Sequence, residues 1–293
     1  RSRVLVISDF TPPRSGDPNA LESISGLGAD FIGVAYSPGR LVRMSGQVAA
    51  YIIEKKLNQD VIFNLTPRDM NKIALGSYMF GAQALGLENV VVTQGDELTQ
   101  RERAHGASPV KDFSSTGLIR LINDMNQGLD YRGSKIAKPT NFCVGATIDL
   151  NKNLEREVAL TERKIQSGAQ FLITQPIYEI AQRDRFLNLY EQQMKKALAV
   201  PVFWGVQVLD NEGVVLGNVP QWINDDLVKG RSGSDIAQEI MENLAEHNVQ
   251  GIYLLPTIFR NGARDYATAR GVISAFSSRN ITKRFDGELN ETR

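Results

Sequence analysis

The chain has 293 residues, enough for one large or two ordinary domains, and 42% apolar with 23% charged residues is the balance of a soluble globular protein. Its 33 Lys and Arg residues match 33 Asp and Glu residues, so no global field recruits nucleic acid or an anionic membrane surface. The single cysteine, Cys143, excludes an internal disulfide, and two histidines without a His or Cys cluster at ligand spacing argue against a protein-bound metal.

Short β-branched runs recur along the chain, each followed by a longer segment of helical period, which is the pattern of repeated βα units around a parallel sheet. The first strand is predicted over Val4–Phe10, followed by a helix over Ala20–Gly26. Next come a strand over Phe31–Tyr36 with a helix over Gly46–Leu57, and a strand over Val61–Thr66 with a helix over Asp69–Leu85. Val90–Thr93 precedes a helix at Ser115–Asn126, and Phe142–Ile148 precedes one at Leu154–Ser167. Phe171–Thr174 leads to Ile180–Leu198, Val202–Val208 to Ser234–His247, and Gly251–Leu255 to Ala263–Phe276.

Most of these strands are apolar throughout, as expected when both faces are buried. Asp69 and Ser234 are predicted N-caps, and Gly86, Gly128 and Gly168 stand where helices need a left-handed residue after their last turn. Eight such units favour an α/β fold of the single (β/α)8 TIM-barrel type. The rival is an open Rossmann sheet, against which stands the lack of a G-x-G-x-x-G after the first strand. Residues 1–276 are expected to form the barrel and residues 277–293 a polar C-terminal tail. No run reaches the roughly 20 apolar residues of a membrane span, and Val4–Ile7 reads as a strand rather than a secretion leader, so a cytoplasmic location is expected. Apolar helix residues such as Ile52 and Ile53 leave room for a subunit interface.

In a barrel, the loops after the strands carry the site. Two of them are long: 96–112 after the fourth strand and 210–233 after the seventh. Collecting the polar residues at the strand ends gives Asp9, Tyr36, Asn64, Thr66, Gln94, Asp96, Thr147, Asp149, Thr174, Gln175, Gln207 and Arg260. Asp9 precedes two prolines that stiffen its exit loop. Asp96 follows Gly95, which lets backbone approach a flat ligand, and its charge could meet a developing cation. Gln175 is an amide able to donate and accept at once. Each has a bland alternative as a loop cap, a turn acid or a buried amide.

Taken together these residues resemble the methylenetetrahydrofolate reductase family. Asp9-Phe-Thr-Pro-Pro-Arg14 is similar to its Glu-Phe-Phe-Pro-Pro-Arg, Asn64-Leu-Thr66 to its His-Leu-Thr, and Gly95-Asp96 to the end of its Arg-Gly-Asp. The most specific match is Arg163–Tyr178, which follows the family's Lys-x-x-x-Gly-Ala-x-x-x-x-Thr-Gln-x-x-Phe/Tyr. Asp69–Ala74, Gly86–Val90 and Gly217-Asn-Val-Pro220 resemble the branch found in acetogens and other anaerobes.

The resemblance implies an oxidoreductase that reduces 5,10-methylenetetrahydrofolate, or a related methylene-tetrahydropterin, to the 5-methyl form. It implies a flavin, FAD before FMN, with NAD(P)H as electron donor. By position Asp9 would supply the proton and Asp96 would stabilise the cation. Gln175, Tyr178, Gln207 and Arg260 would hold the folate. Thr66, Gln94, Gly95, Asp96, Ser114, Ser115, Thr147 and Lys164 would hold the cofactor, and Lys164, Arg101, Arg103 and Lys111 could meet a dinucleotide's phosphates. A homo-oligomer or a complex with a redox partner subunit is expected. The chain departs from the family pattern at Asp9 for Glu, at Gln94 for Arg, and at Thr147-Ile-Asp149 for Ala-Tyr-Pro-Glu. Two alternatives therefore stay open: a flavin-less pterin-binding subunit that depends on a partner, and a non-redox pterin methyltransferase or lyase.

Overall fold

A computed structural model describes residues 3–290, with side chains described for 3–279. Eight strands form one closed parallel barrel in chain order: β1 (Leu5–Phe10), β2 (Phe31–Val34), β3 (Val61–Leu65), β4 (Asn89–Val92), β5 (Cys143–Ile148), β6 (Phe171–Pro176), β7 (Val202–Gln207) and β8 (Gly251–Leu255). Closure runs through β1 and β8, from Leu5 opposite Gly251 to Ser8 opposite Leu254. The helices are α1 (Gly46–Leu57), α2 (Lys72–Ala84), α3 (Gln100–Ala104), α4 (Ser115–Asn126), α5 (Leu154–Gln166), α6 (Ile180–Met194), α7 (Gln221–Val228), α8 (Gly233–Glu246) and α9 (Tyr266–Asn290). The expected single (β/α)8 barrel is the fold observed.

Alternation along the strands divides the apolar residues into two sets. Ile7, Ile62, Val91, Phe171 and Ile173 meet inside the barrel, with Phe31, Cys143, Phe203 and Tyr253 packed on them. The larger set, including Val6, Phe63, Val92, Val144, Leu172 and Ile252, faces the helices. Inside, the Phe171 and Phe203 rings meet edge-on at 6.0 Å and 77°. Gly145 and Gly251 make room for them, since a Cβ at either position would run into the Phe171 or Phe203 ring. The barrel is thus a filled core rather than a pore.

Local differences from the sequence reading have local causes. The first helix is a 3-10 segment over Pro18–Ile24, started by Asp17 accepting from the Asn19 N–H. Asn71 caps α2 in place of Asp69, whose carboxylate is taken by Arg68, and Ser232 caps α8 in place of Ser234. Gly86, Gly128 and Gly168 follow α2, α4 and α5 with φ of 82°, 84° and 113°, as their sequence positions require. The long loops contain α3 and α7, and a short antiparallel pair, β9 (Thr257–Ile258) with β10 (Arg264–Asp265), follows β8. The last helix, expected to stop at Phe276, continues through the polar segment to Asn290. Ile53 is fully buried against the core and offers no interface, while Ile52 is half-buried beside it. Among the described residues no helix is long and apolar enough to cross a membrane.

Candidate active site at the barrel mouth

Asp9 lies two residues beyond the inward-facing Ile7, so alternation aims its carboxylate at the barrel axis near the mouth. It is only 5% exposed. Tyr253, inward-facing on β8, donates its hydroxyl to Asp9 Oδ1 at 2.6 Å, and Arg264 Nε stands 3.8 Å from Oδ2. Burial pushes the Asp9 carboxyl above the ordinary carboxylate range, against the opposing pull of Arg264 and Tyr253. Burial and the Asp9 charge together push the Tyr253 phenol up. An acid held this way keeps a proton to higher pH than a surface aspartate. Tyr266 closes the same corner: its ring is 5.6 Å from Phe10 and its hydroxyl accepts from the Thr11 N–H.

Farther round the mouth, Asn64, Thr93 and Thr147 stand two residues beyond the inward-facing Ile62 and Val91 and four beyond Cys143. Gln175 sits where the β6 register shifts against β7 between Ile173 and Pro176. All four are half-buried. Among the hydrogen bonds of the described residues none involves their side chains, so they form an arc of free polar groups across β3 to β6. The shift at β6 is braced by Thr174 Oγ1, which accepts from the Gly205 N–H at 2.7 Å. Gly205 admits no side chain there, because a Cβ would lie 2.7 Å from the Thr174 and Gln175 carbonyl oxygens.

Thr66, Gln94, Gly95 and Ser115 are brought together at the ends of β3 and β4. Thr66 donates to the Gln94 carbonyl at 3.1 Å, and Ser115 donates to the Gln94 side-chain oxygen at 3.3 Å. Gly95 has φ of 76°, and a Cβ on it would overlap Thr66 Oγ1, so this turn admits only glycine. Asp96 is not carried to the Asp9 group. Its carboxylate is 69% exposed and 3.8 Å from Arg40, while its backbone carbonyl accepts from Arg68 at 2.8 Å. Ser114 caps α4 by accepting from the Gly117 N–H at 3.1 Å.

Lys164 is also committed within the protein. Its ammonium donates to the Thr147 carbonyl at 2.6 Å and lies 3.5 Å from the buried Glu157 carboxylate. Burial lowers its pKa against the pull of Glu157. Arg260 stands exposed beyond β9. Tyr178 and Gln207 are buried and bonded to the loop after β7. Among the described residues no three His, Cys, Asp or Glu side chains are grouped to hold a metal.

The strand-end list missed Tyr253, Arg264 and Glu157. Tyr253 was legible in principle, since strand alternation puts it on the inner face of β8. Arg264 is delivered by the β9–β10 pair and Glu157 by a helix face, and neither has a signal in residue spacing.

The family model described as methylenetetrahydrofolate reductase matches residues 2–261. Methylenetetrahydrofolate reductase 2 of Schizosaccharomyces pombe is 22% identical over 166 residues, 56% of this chain; the match spans only a quarter, 25%, of that protein's length. Among solved structures, a Clostridium thermocellum protein that binds two copies of 5-methyl-5,6,7,8-tetrahydrofolic acid superposes with a TM-score of 0.65 at 13% identity, covering 93% of this chain and 95% of that one. A putative lyase/mutase from Burkholderia cenocepacia gives 0.50 at 14% identity, covering 98% and 85%. At such identities the structural matches speak for the barrel alone. The family match over nearly the whole chain, with the acid-bearing mouth described above, settles its kinship: the chain belongs to the methylenetetrahydrofolate reductase family.

Proposed function

We propose that this protein reduces the methylene bridge of a 5,10-methylene-tetrahydropterin of the folate class to a methyl group. The observation that carries the reading is Asp9, a buried acid at the barrel mouth with its pKa raised, in a chain of this family. The bridge joins N5 and N10. Opening it breaks the bond from the bridging carbon to N10, places a proton on N10 and leaves an iminium at N5. Hydride transfer to that carbon then gives the 5-methyl product, with the donor oxidised and one proton consumed.

Asp9 supplies the N10 proton and recovers it from solvent, and Tyr253 holds the carboxyl in place through Oδ1. The free amide of Gln175 pairs with an adjacent donor and acceptor on the pterin, and Asn64, Thr93 and Thr147 offer further partners along the arc. Asp96, solvated and paired with Arg40, adds only a screened field.

Four of the groups matched to a flavin site, Thr66, Gln94, Ser115 and Lys164, are engaged within the chain and do not fit a resident flavin. Thr66, Gln94 and Ser115 bond to one another, and the Lys164 ammonium is enclosed by Thr147 and Glu157. The reading therefore takes the hydride from a dihydronicotinamide bound as co-substrate, with the exposed Arg101 and Lys111 on the loop after β4 available to its phosphates. The test is a single-turnover incubation of the purified chain with 5,10-methylenetetrahydrofolate and NADH, NADPH or chemically reduced flavin in separate arms. Formation of 5-methyltetrahydrofolate in a nicotinamide arm supports the reading, product with reduced flavin alone overturns its choice of donor, and no product in any arm overturns it.

A further inference from the structure

The loop after β7 folds back over the mouth, and the side chain that holds it is Gln207. Alternation from Phe203 through Gly205 aims Gln207 inward, and it is 2% exposed. Its Nε2 donates to the Val214 carbonyl at 2.7 Å and its Oε1 accepts from the Leu216 N–H at 2.9 Å. A backbone carbonyl only accepts and a backbone N–H only donates, so these two bonds fix which way the carboxamide faces. Tyr178 adds a second latch by donating its hydroxyl to the Leu216 carbonyl at 2.6 Å, and the same hydroxyl stands 3.3 Å from Gln207 Oε1.

The segment is tied at both ends as well. The Val214 N–H donates to the Ile258 carbonyl at 2.7 Å, and the Asn218 N–H donates to Asn151 Oδ1 at 3.3 Å. The strap thus reaches from the β8 side of the mouth to the loop after β5. Its apolar side chains Val214 and Val215 are 40% and 45% exposed, so hydrogen bonds rather than core burial hold it down. Such a segment opens at low cost when its bonds are replaced by others.

What the strap offers Gln207 is a carbonyl acceptor beside an N–H donor. A reduced pterin presents the same pairing twice, as C4=O with N3–H and as N1 with N8–H. We propose that the strap 210–218 is an internal occupant of the Gln207 recognition edge, and that a pterin displaces it by taking over the same two bonds. The inference rests on the folate reading above and adds to it a coupling: ligand entry and strap release are one exchange. Gln175 then reads one donor and acceptor pair of the ring and Gln207 the other. In the ligand-free protein the strap keeps a buried amide satisfied, which avoids an unpaired polar group in the mouth.

Hydrogen–deuterium exchange on the full chain, with and without 5-methyltetrahydrofolate, tests this together with ligand affinity. The exchange predicts faster labelling of the strap peptide around Leu216 when ligand is bound. Tyr178→Phe removes the hydroxyl, whose one proton goes to the Leu216 carbonyl at 2.6 Å rather than to Gln207 Oε1 at 3.3 Å, so the strap labels faster without ligand and affinity rises about three- to tenfold, the worth of one hydrogen bond. Gln207→Leu also frees the strap but lowers affinity by a similar factor, because the ligand loses its partner. Binding with unchanged or slower strap labelling, or tighter binding absent from Tyr178→Phe, overturns the inference and leaves the folate reading standing. Failure of the wild type and both variants to bind 5-methyltetrahydrofolate overturns the two together.

Discussion

Lys164 gives the sharpest stability prediction, because its position by family resemblance and its position in the fold lead to different outcomes. Its side chain and that of Glu157 are 6% and 7% exposed, their charged atoms are 3.5 Å apart, and the ammonium also holds the Thr147 carbonyl at 2.6 Å. Lys164→Met keeps the length of the chain but strands the Glu157 carboxylate and frees a carbonyl at the end of β5. Breaking a buried pair on one side costs about 3–5 kcal/mol. Glu157 retains the Asp149 N–H at 3.3 Å, which places the expected loss near the lower end, about 3 kcal/mol. Adding Glu157→Gln should recover about 1–2 kcal/mol of it, since the stranded charge is then gone. Urea unfolding of the wild type, both single variants and the double variant measures these terms. A loss under about 1 kcal/mol for Lys164→Met, accompanied by weakened binding of a phosphate-bearing cofactor, would refute the structural role.

Asp9→Asn is expected to lower turnover about a hundredfold or more with little change in substrate affinity, as for loss of a general acid; stopped-flow turnover at fixed pH checks it. Wild-type turnover should fall as pH rises through the raised Asp9 pKa, and this limb should be absent from the variant. Stability carries the same sign. Because the folded pKa lies above the unfolded one, ionising Asp9 disfavours the fold, and that loss begins near the unfolded value of about 4 and is complete above the folded one. Melting temperatures measured across that window should therefore drop with rising pH more steeply in the wild type than in Asp9→Asn. Gly95→Ala must place a methyl on Thr66 Oγ1 at a φ of 76°, and a cost of about 1–3 kcal/mol is expected by thermal unfolding; a neutral result would mean the turn relaxes freely. Asp96→Asn should reduce turnover less than about tenfold, since a 69% exposed carboxylate acts through solvent; a larger drop in the same kinetic assay would return Asp96 to the reacting centre.

The barrel was legible because its evidence is periodic. Strands buried on both faces must be apolar throughout, and α1 and α4 were read at their observed boundaries because a turn or cap meets the apolar stripe on each side. Caps were read less well, since Asp69 is drawn off by Arg68, a competition decided by side-chain reach rather than by spacing. In the site, Asp9 and Gln175 were legible as polar residues at the ends of apolar runs. Asp96 shared that position but not that orientation, because the left-handed turn at Gly95 and the tether to Arg68 carry its side chain out to solvent. Tyr178 and Gln207 hold the strap in this fold, a contact between segments that no local pattern encodes.

The central claim is that hydride reaches the methylene carbon in this barrel mouth. It is tested most directly by running one turnover with a dihydronicotinamide carrying deuterium at its transferable position and weighing the folate product. The account predicts 5-methyltetrahydrofolate with a single deuterium in its methyl group, formed by the wild type and strongly diminished in Asp9→Asn. A methyl group without deuterium, or equal labelling by the two proteins, would contradict it.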